Sequence, residues 1–153
     1  MPTRNAKARW IGTFESGSGS FATQSATHRT GRLHLRAVAG QYNFSSRFGD
    51  VPAGSNPEEL IAAAEAACFS MAMGAALEKE GHPANRVETE VSCTLTATPD
   101  AGYSITHLQL RVRVDDPGLD LAVLRRVAES TKARCPVSRA LANVPIDLDA
   151  SLV

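Results

Sequence analysis

The stretch from Asn56 to Gly81, NPEELIAAAEAACFSMAMGAALEKEG, restricts the fold more than any other part of this chain. Asn56 suits a helix N-cap, Pro57 the first helical position, and Glu59 falls three residues after the cap, as a capping box requires. Lys79 and Gly81 provide the complementary end, a cation in the last turn and a residue that tolerates the left-handed conformation after it. Between these ends lie Ala62, Ala63, Ala64, Ala66, Ala67, Phe69, Met71, Met73, Ala75 and Ala76, which leave almost no polar face. Such a helix is expected in the middle of a core, approached on most sides, rather than on a rim. Its alanines let another backbone come close, so sheet or partner helices are expected around it.

The flanking sequence supplies the sheet. KARWIGTF and GRLHLRAVAG read as short strands, separated by the serine- and glycine-rich ESGSGSFATQSATHRTG, which reads as a turn or disordered loop. That stretch lacks the lysine and following helix of a phosphate loop. QYNFSSRFG reads as a further strand ending near Arg47, and DVPAGSN as a loop. After the helix, Val87, Thr89, Val91, Cys93, Leu95 and Ala97 alternate along one strand. TPDAG turns the chain, and Thr106, Leu108, Leu110, Val112 and Val114 alternate along the next, with His107, Gln109, Arg111 and Arg113 opposite. The pair predicts an antiparallel hairpin with one wet face. LDLAVLRRVAESTKAR is amphipathic, with Leu121, Leu124, Val127 and Ala128 as its stripe. CPVSRALAN predicts a short helix, and Val144, Ile146 and Leu148 a closing strand. The fold class is α+β.

At 153 residues, a single domain over 1–153 with a core of its own is expected. Sixteen acidic and sixteen basic residues cancel, so no attraction to nucleic acid or to an anionic membrane is predicted. No charge-free apolar run is long enough to span a bilayer, and MPTRNAKARWIG lacks the apolar segment of a signal peptide. A cytoplasmic protein with reduced thiols is expected. Three widely spaced cysteines argue against a secreted disulfide scaffold.

The cysteines differ in context. Cys93 alternates with Val91 and Leu95, which a small buried hydrophobe explains, so it reads as a structural thiol. Cys68 sits in the apolar helix, where packing is as good an explanation as reactivity. Cys135 precedes a proline at a helix start, where unpaired N–H groups favour a thiolate, although turn chemistry explains the dipeptide equally well. The three form no close-spaced ligand pair with each other or with the four histidines, so no metal site is expected. A cysteine hydrolase would need a histidine to take its proton, and nothing in the spacing singles out His28, His34, His82 or His107.

Taken together, NFSSRFG, NPEELIAAAEAACFSMAMG and TKARCPVSRAL resemble the OsmC/Ohr family, the osmotically inducible and organic hydroperoxide resistance proteins. The resemblance runs from roughly Ala6 to Leu148, and SSRFG, NPEEL and CPVS look closer to the OsmC branch. It implies a thiol-dependent peroxidase without a cofactor, acting on hydroperoxides and regenerated by an external dithiol of lipoyl type. By the same resemblance Cys68 is the peroxidatic cysteine, Cys135 the resolving cysteine that closes an intrachain disulfide, Arg47 the active-site arginine and Glu58 the carboxylate that orients it. The implied assembly is an intertwined homodimer, with antiparallel-rich sheets around long central helices and active sites at the subunit interface.

The chemistry makes specific demands on those residues. A peroxidatic sulfur must be a thiolate. Cys68 lies about 18 Å along the helix from the cap, beyond the reach of the helix dipole, and apolar burial opposes ionisation. No lysine or arginine occurs between Pro57 and Glu78, so a cation must come from another element, and Arg47 is the candidate. Glu58 lies about 15 Å of helix rise from Cys68, so the two cannot touch directly. Phe69, Met71, Tyr42 and Phe44 could line an apolar pocket favouring organic peroxides, or be plain core. The alternatives are a non-catalytic ligand-binding or structural dimer of the same fold, and a cysteine hydrolase.

Overall fold

The structure, a computed structural model, describes residues 6–11, 18–23, 39–49, 54–99 and 102–153. The chain forms two compact units, Met1–Pro57 and Glu58–Val153.

In the first unit, β1 (Ala6–Ile11), β2 (Ser18–Thr23) and β3 (Ala39–Asn43) form an antiparallel sheet in that order. Part of the serine–glycine stretch expected to be a loop is therefore a strand. Ser18–Thr23 hydrogen-bonds a neighbour on each side, and pairing outweighs the weak strand preference of its small residues. Residues 31–38 of the strand expected next lie outside the described residues, and its last two, Ala39 and Gly40, open β3.

A second correction concerns Arg47. The strand expected to reach it stops at Asn43, and Phe44–Phe48 forms a short helix, α1. Asn43 Oδ1 accepts from the Ser46 N–H at 2.8 Å, while Ser46 Oγ accepts from the Asn43 N–H at 3.0 Å. This reciprocal capping box turns the chain, so Arg47 is presented from a helix rather than a strand end.

All of helix α2 (Pro57–Lys79) except Pro57 belongs to the second unit. Its end is a Schellman motif. Gly81 lies at φ +85°, its N–H donates to Glu78 O at 3.1 Å, and the His82 N–H donates to Leu77 O at 2.9 Å. Strands β4 (Arg86–Thr98) and β5 (Gly102–Asp115) form the expected hairpin, with a register shift at Thr94/Leu95. The closing strand β6 (Ile146–Leu152) runs parallel to β5, so β5 is central. A parallel return needs a crossover, and α3 (Leu121–Arg134) and α4 (Pro136–Ala140) provide it.

Leu108, Leu110, Val112 and Val114 of β5 are buried with Phe69, Met73 and Leu77 of α2 and Leu124, Val127 and Ala128 of α3. Leu121, expected in the α3 stripe, is 37% exposed because it opens the helix directly after the Asp120 cap. By length and composition alone α2 is apolar enough to cross a bilayer, yet the chain buries one face of it in this core. The expectation of cover on most sides is not met by the described residues of the Glu58–Val153 unit. Ala64, Ala67, Met71 and Ala75, four or three residues apart, form an exposed apolar stripe, with Met71 75% exposed.

Leu110 pairs with Val91 on one side and Leu148 on the other and is fully buried. Leu110→Ala should lower unfolding free energy by about 2–5 kcal/mol in urea titration, with the slope unchanged.

Candidate active site

Two elements of the second unit bring the site together. Cys68 lies half-buried on α2, directly before the core residue Phe69. Nearby, Ser70 Oγ donates to Thr89 Oγ1 of β4 at 2.8 Å, which ties this part of α2 to the sheet. Cys135 is the hinge between α3 and α4. Its N–H donates to Thr131 O at 2.7 Å, continuing α3, while its carbonyl accepts from the Arg139 N–H at 2.9 Å, starting α4. Pro136 fits the first position of α4, where a missing N–H costs nothing. Cys135 is fully buried.

The two sulfurs meet across the gap between α2 and α4. Cys135 Sγ donates to Cys68 Sγ at 3.2 Å, although the residues are 67 apart in sequence. Both are free thiols, since a disulfide would place the sulfurs about 2.05 Å apart.

A second contact between the same helices was not anticipated from the sequence. Glu65 of α2 is fully buried, and the Ser138 Oγ–H of α4 donates to its Oε1. Glu65 Oε2 has no hydrogen-bond partner among the described residues. The sequence carried a usable signal. Glu65 is the only charged residue between Glu59 and Glu78, and steps of four place it in line with Phe69, Met73 and Leu77 on the buried face.

Electrostatics in this unit oppose ionisation of Cys68. Burial is the largest influence and pushes the thiol above its ordinary value. A hydrogen bond from the Val137 backbone acts the other way, while Cys135 and the negative charge of Glu65 push it further up. None of these influences is a cation. The unit therefore assembles a dithiol without activating it.

The other predicted residues lie elsewhere. Arg47 is half-buried in the Met1–Pro57 unit, its Cζ 5.2 Å from the centre of the Phe48 ring. Phe44 packs against that ring at 5.0 Å, and Tyr42 is half-buried on β3. Glu58 is buried in the first turn of α2. Phe69 and Met71 face different ways, the first into the core and the second outward. Cys93 is half-buried on β4 with Leu108 as its register partner; burial raises its thiol, and the charge of Glu58 adds to this. His82 lies 3.4 Å from Asp116 and His107 2.9 Å from Asp147; His28 and His34 lie outside the described residues. Among the described residues, no three His, Cys, Asp or Glu are grouped to hold a metal ion.

Comparison with known proteins gives one consistent result. A sequence profile of the family described as OsmC-like protein matches residues 49–149. Peroxiredoxin OsmC of Escherichia coli is 36% identical over 145 residues, covering 94% of each chain. Organic hydroperoxide resistance protein OhrA of Bacillus subtilis is 29% identical over 96 residues, 62% of this chain and 66% of that protein. Among solved structures, an OsmC organic hydroperoxide resistance protein from Legionella pneumophila superposes with a TM-score of 0.77 at 24% identity, over 99% of this chain and 98% of that one. This last likeness establishes the α+β fold.

The raised thiols predict a sign for stability against pH. A folded thiol that ionises later than the unfolded one contributes fully below the ordinary value, about 8.5, and that contribution is lost as pH climbs to the raised folded value. In urea titrations, wild type should lose stability relative to Cys93→Ala over that alkaline window. The loss should be at most about 1.4 kcal/mol per pH unit.

Proposed function

The chain belongs to the OsmC-like protein family, and on that premise we propose that it is a two-cysteine peroxidase reducing organic hydroperoxides, and hydrogen peroxide less well. The observation that carries this reading is the 3.2 Å separation of the Cys68 and Cys135 sulfurs. In the cycle, the Cys68 thiolate attacks the terminal peroxide oxygen, the O–O bond breaks, and the alcohol leaves with a proton, forming a sulfenic acid on Cys68. Cys135 then attacks that sulfur, its proton leaves with the hydroxyl as water, and a disulfide forms. An external dithiol, of lipoyl type by family resemblance, is oxidised as it restores both thiols.

Cys68 needs a positive charge that the second unit does not provide. We assign that role to Arg47, whose planar guanidinium can face a thiolate and a peroxide oxygen together, with Glu58 as the carboxylate that orients it. Phe69 is core, so of the apolar residues Met71, Tyr42 and Phe44 remain the proposed source of preference for organic peroxides. A second copy of the chain is the proposed cover for the Ala64, Ala67, Met71 and Ala75 stripe, and the cytoplasm, where thiols stay reduced, the proposed location.

Mixing reduced protein with cumene hydroperoxide tests the reading. Wild type should consume peroxide with turnover, Cys68→Ser should not react, and Cys135→Ser should consume one equivalent and stop with Cys68 oxidised. Cys93→Ala should turn over like wild type. Peroxide consumption by Cys68→Ser at the wild-type rate refutes the assignment. Hydrolysis of an activated ester without peroxide consumption would instead establish the cysteine hydrolase, and neither reaction the non-catalytic dimer.

Arg47→Ala should lower the rate of the first step by about a hundredfold at neutral pH, as loss of one charge-stabilising donor does. Its rate should recover as alkaline pH ionises Cys68 directly, measured from peroxide consumption against pH.

A further inference from the structure

Helix α4 is short. It runs only from Pro136 to Ala140, and Ser138 is its one buried residue. Two side-chain hydrogen bonds link its segment to α2, Cys135 to Cys68 and Ser138 to Glu65, beside the hydrogen bond from the Val137 backbone to Cys68. The two side-chain bonds are related by spacing. Glu65 precedes Cys68 by three residues and Ser138 follows Cys135 by three, so each contact lies about one helical turn, roughly 4.5 Å, from the other. The helices run antiparallel at this point, with the thiol pair as one rung and the carboxyl–hydroxyl pair as the next.

An apolar residue at position 65 would continue the Phe69, Met73 and Leu77 stripe and pack without a polar partner. A buried carboxyl is costly unless bonded, and only one oxygen of Glu65 is satisfied among the described residues, by Ser138. Hydrophobic contact is non-directional and would let so short a helix turn or slide. A hydrogen bond between two buried groups fixes both its rotation and its distance.

We propose that Glu65 and Ser138 are a positioning pair: their contact docks α4 on α2 so that the Cys135 sulfur is held against Cys68 for disulfide closure. The inference rests on the redox reading above, but it concerns the proximity of two thiols rather than peroxide chemistry. Neither residue reacts. Their contribution is a high effective concentration of one thiol at the other.

Equilibration with glutathione tests this without peroxide. In a Cys93→Ser background, the Cys68 and Cys135 thiols exchange with oxidised glutathione to give the intrachain disulfide and two reduced glutathiones, and alkylation followed by mass analysis reads the oxidised fraction. Ser138→Ala should lower the oxidation constant at least tenfold, a shift of about 30 mV toward a more easily reduced disulfide. Ser138→Thr, which keeps the hydroxyl, should stay within about threefold of the parent. The double variant Glu65→Met with Ser138→Ala removes the buried carboxyl together with its partner, so it should fold even where the single variant does not. It should show the same tenfold loss.

The parent's constant in that double variant, with native circular dichroism, overturns the proposal; so does a parent protein that never forms the disulfide. A parent that forms the disulfide yet ignores cumene hydroperoxide overturns the peroxidase reading and leaves the positioning pair standing.

Discussion

The burial of one face of α2 against β5 and α3 is the constraint on which the rest depends. Phe69, Met73 and Leu77 fill the core together with Leu108, Leu110, Val112 and Val114, and this fixes the helix about its own axis. Once that rotation is set, Cys68 must sit at the edge of the buried face and Glu65 within it. The same core seats α3 through Leu124, Val127 and Ala128, and the last turn of α3 delivers Cys135. The site is thus a consequence of packing two helices on one sheet, with the crossover to β6 required by its parallel pairing.

The dithiol shows how position and reactivity separate. Packing sets the distance between the sulfurs, and the same packing disfavours charge on Cys68 because it removes water. Glu65 adds to that cost while providing the acceptor for Ser138. A site built this way keeps its thiol quiet until a positive charge compensates it, which is why an arginine outside the second unit is central to the proposed chemistry.

Much of this was legible in the sequence. Periodicity of two over Val87–Ala97 and Thr106–Val114 gave the hairpin, and the Pro57 and Gly81 signals bounded α2 to within two residues. The errors have local causes. Asn43 and Ser46 form a capping box that only a helix reading of NFSSRF would have revealed, so Arg47 was misplaced onto a strand. Ser18–Thr23 is a strand because two neighbours pair with it, information absent from its own small residues. Glu65 went unremarked because it is a single acid within an alanine-rich run, although its four-residue spacing from Phe69 marked it as buried.

By itself the sequence determined the elements, their order and the thiols worth examining, because capping and hydrophobic period act over a few residues and are written locally. Only the tertiary structure decided that Cys135 meets Cys68 while Cys93 stays on its strand beside Leu108. It alone revealed that Ser138 faces Glu65 and that a stripe of α2 is exposed among the described residues. Contacts between residues 67 and 73 apart arise from how helices settle on a sheet, and that depends on the whole core rather than on any segment within it.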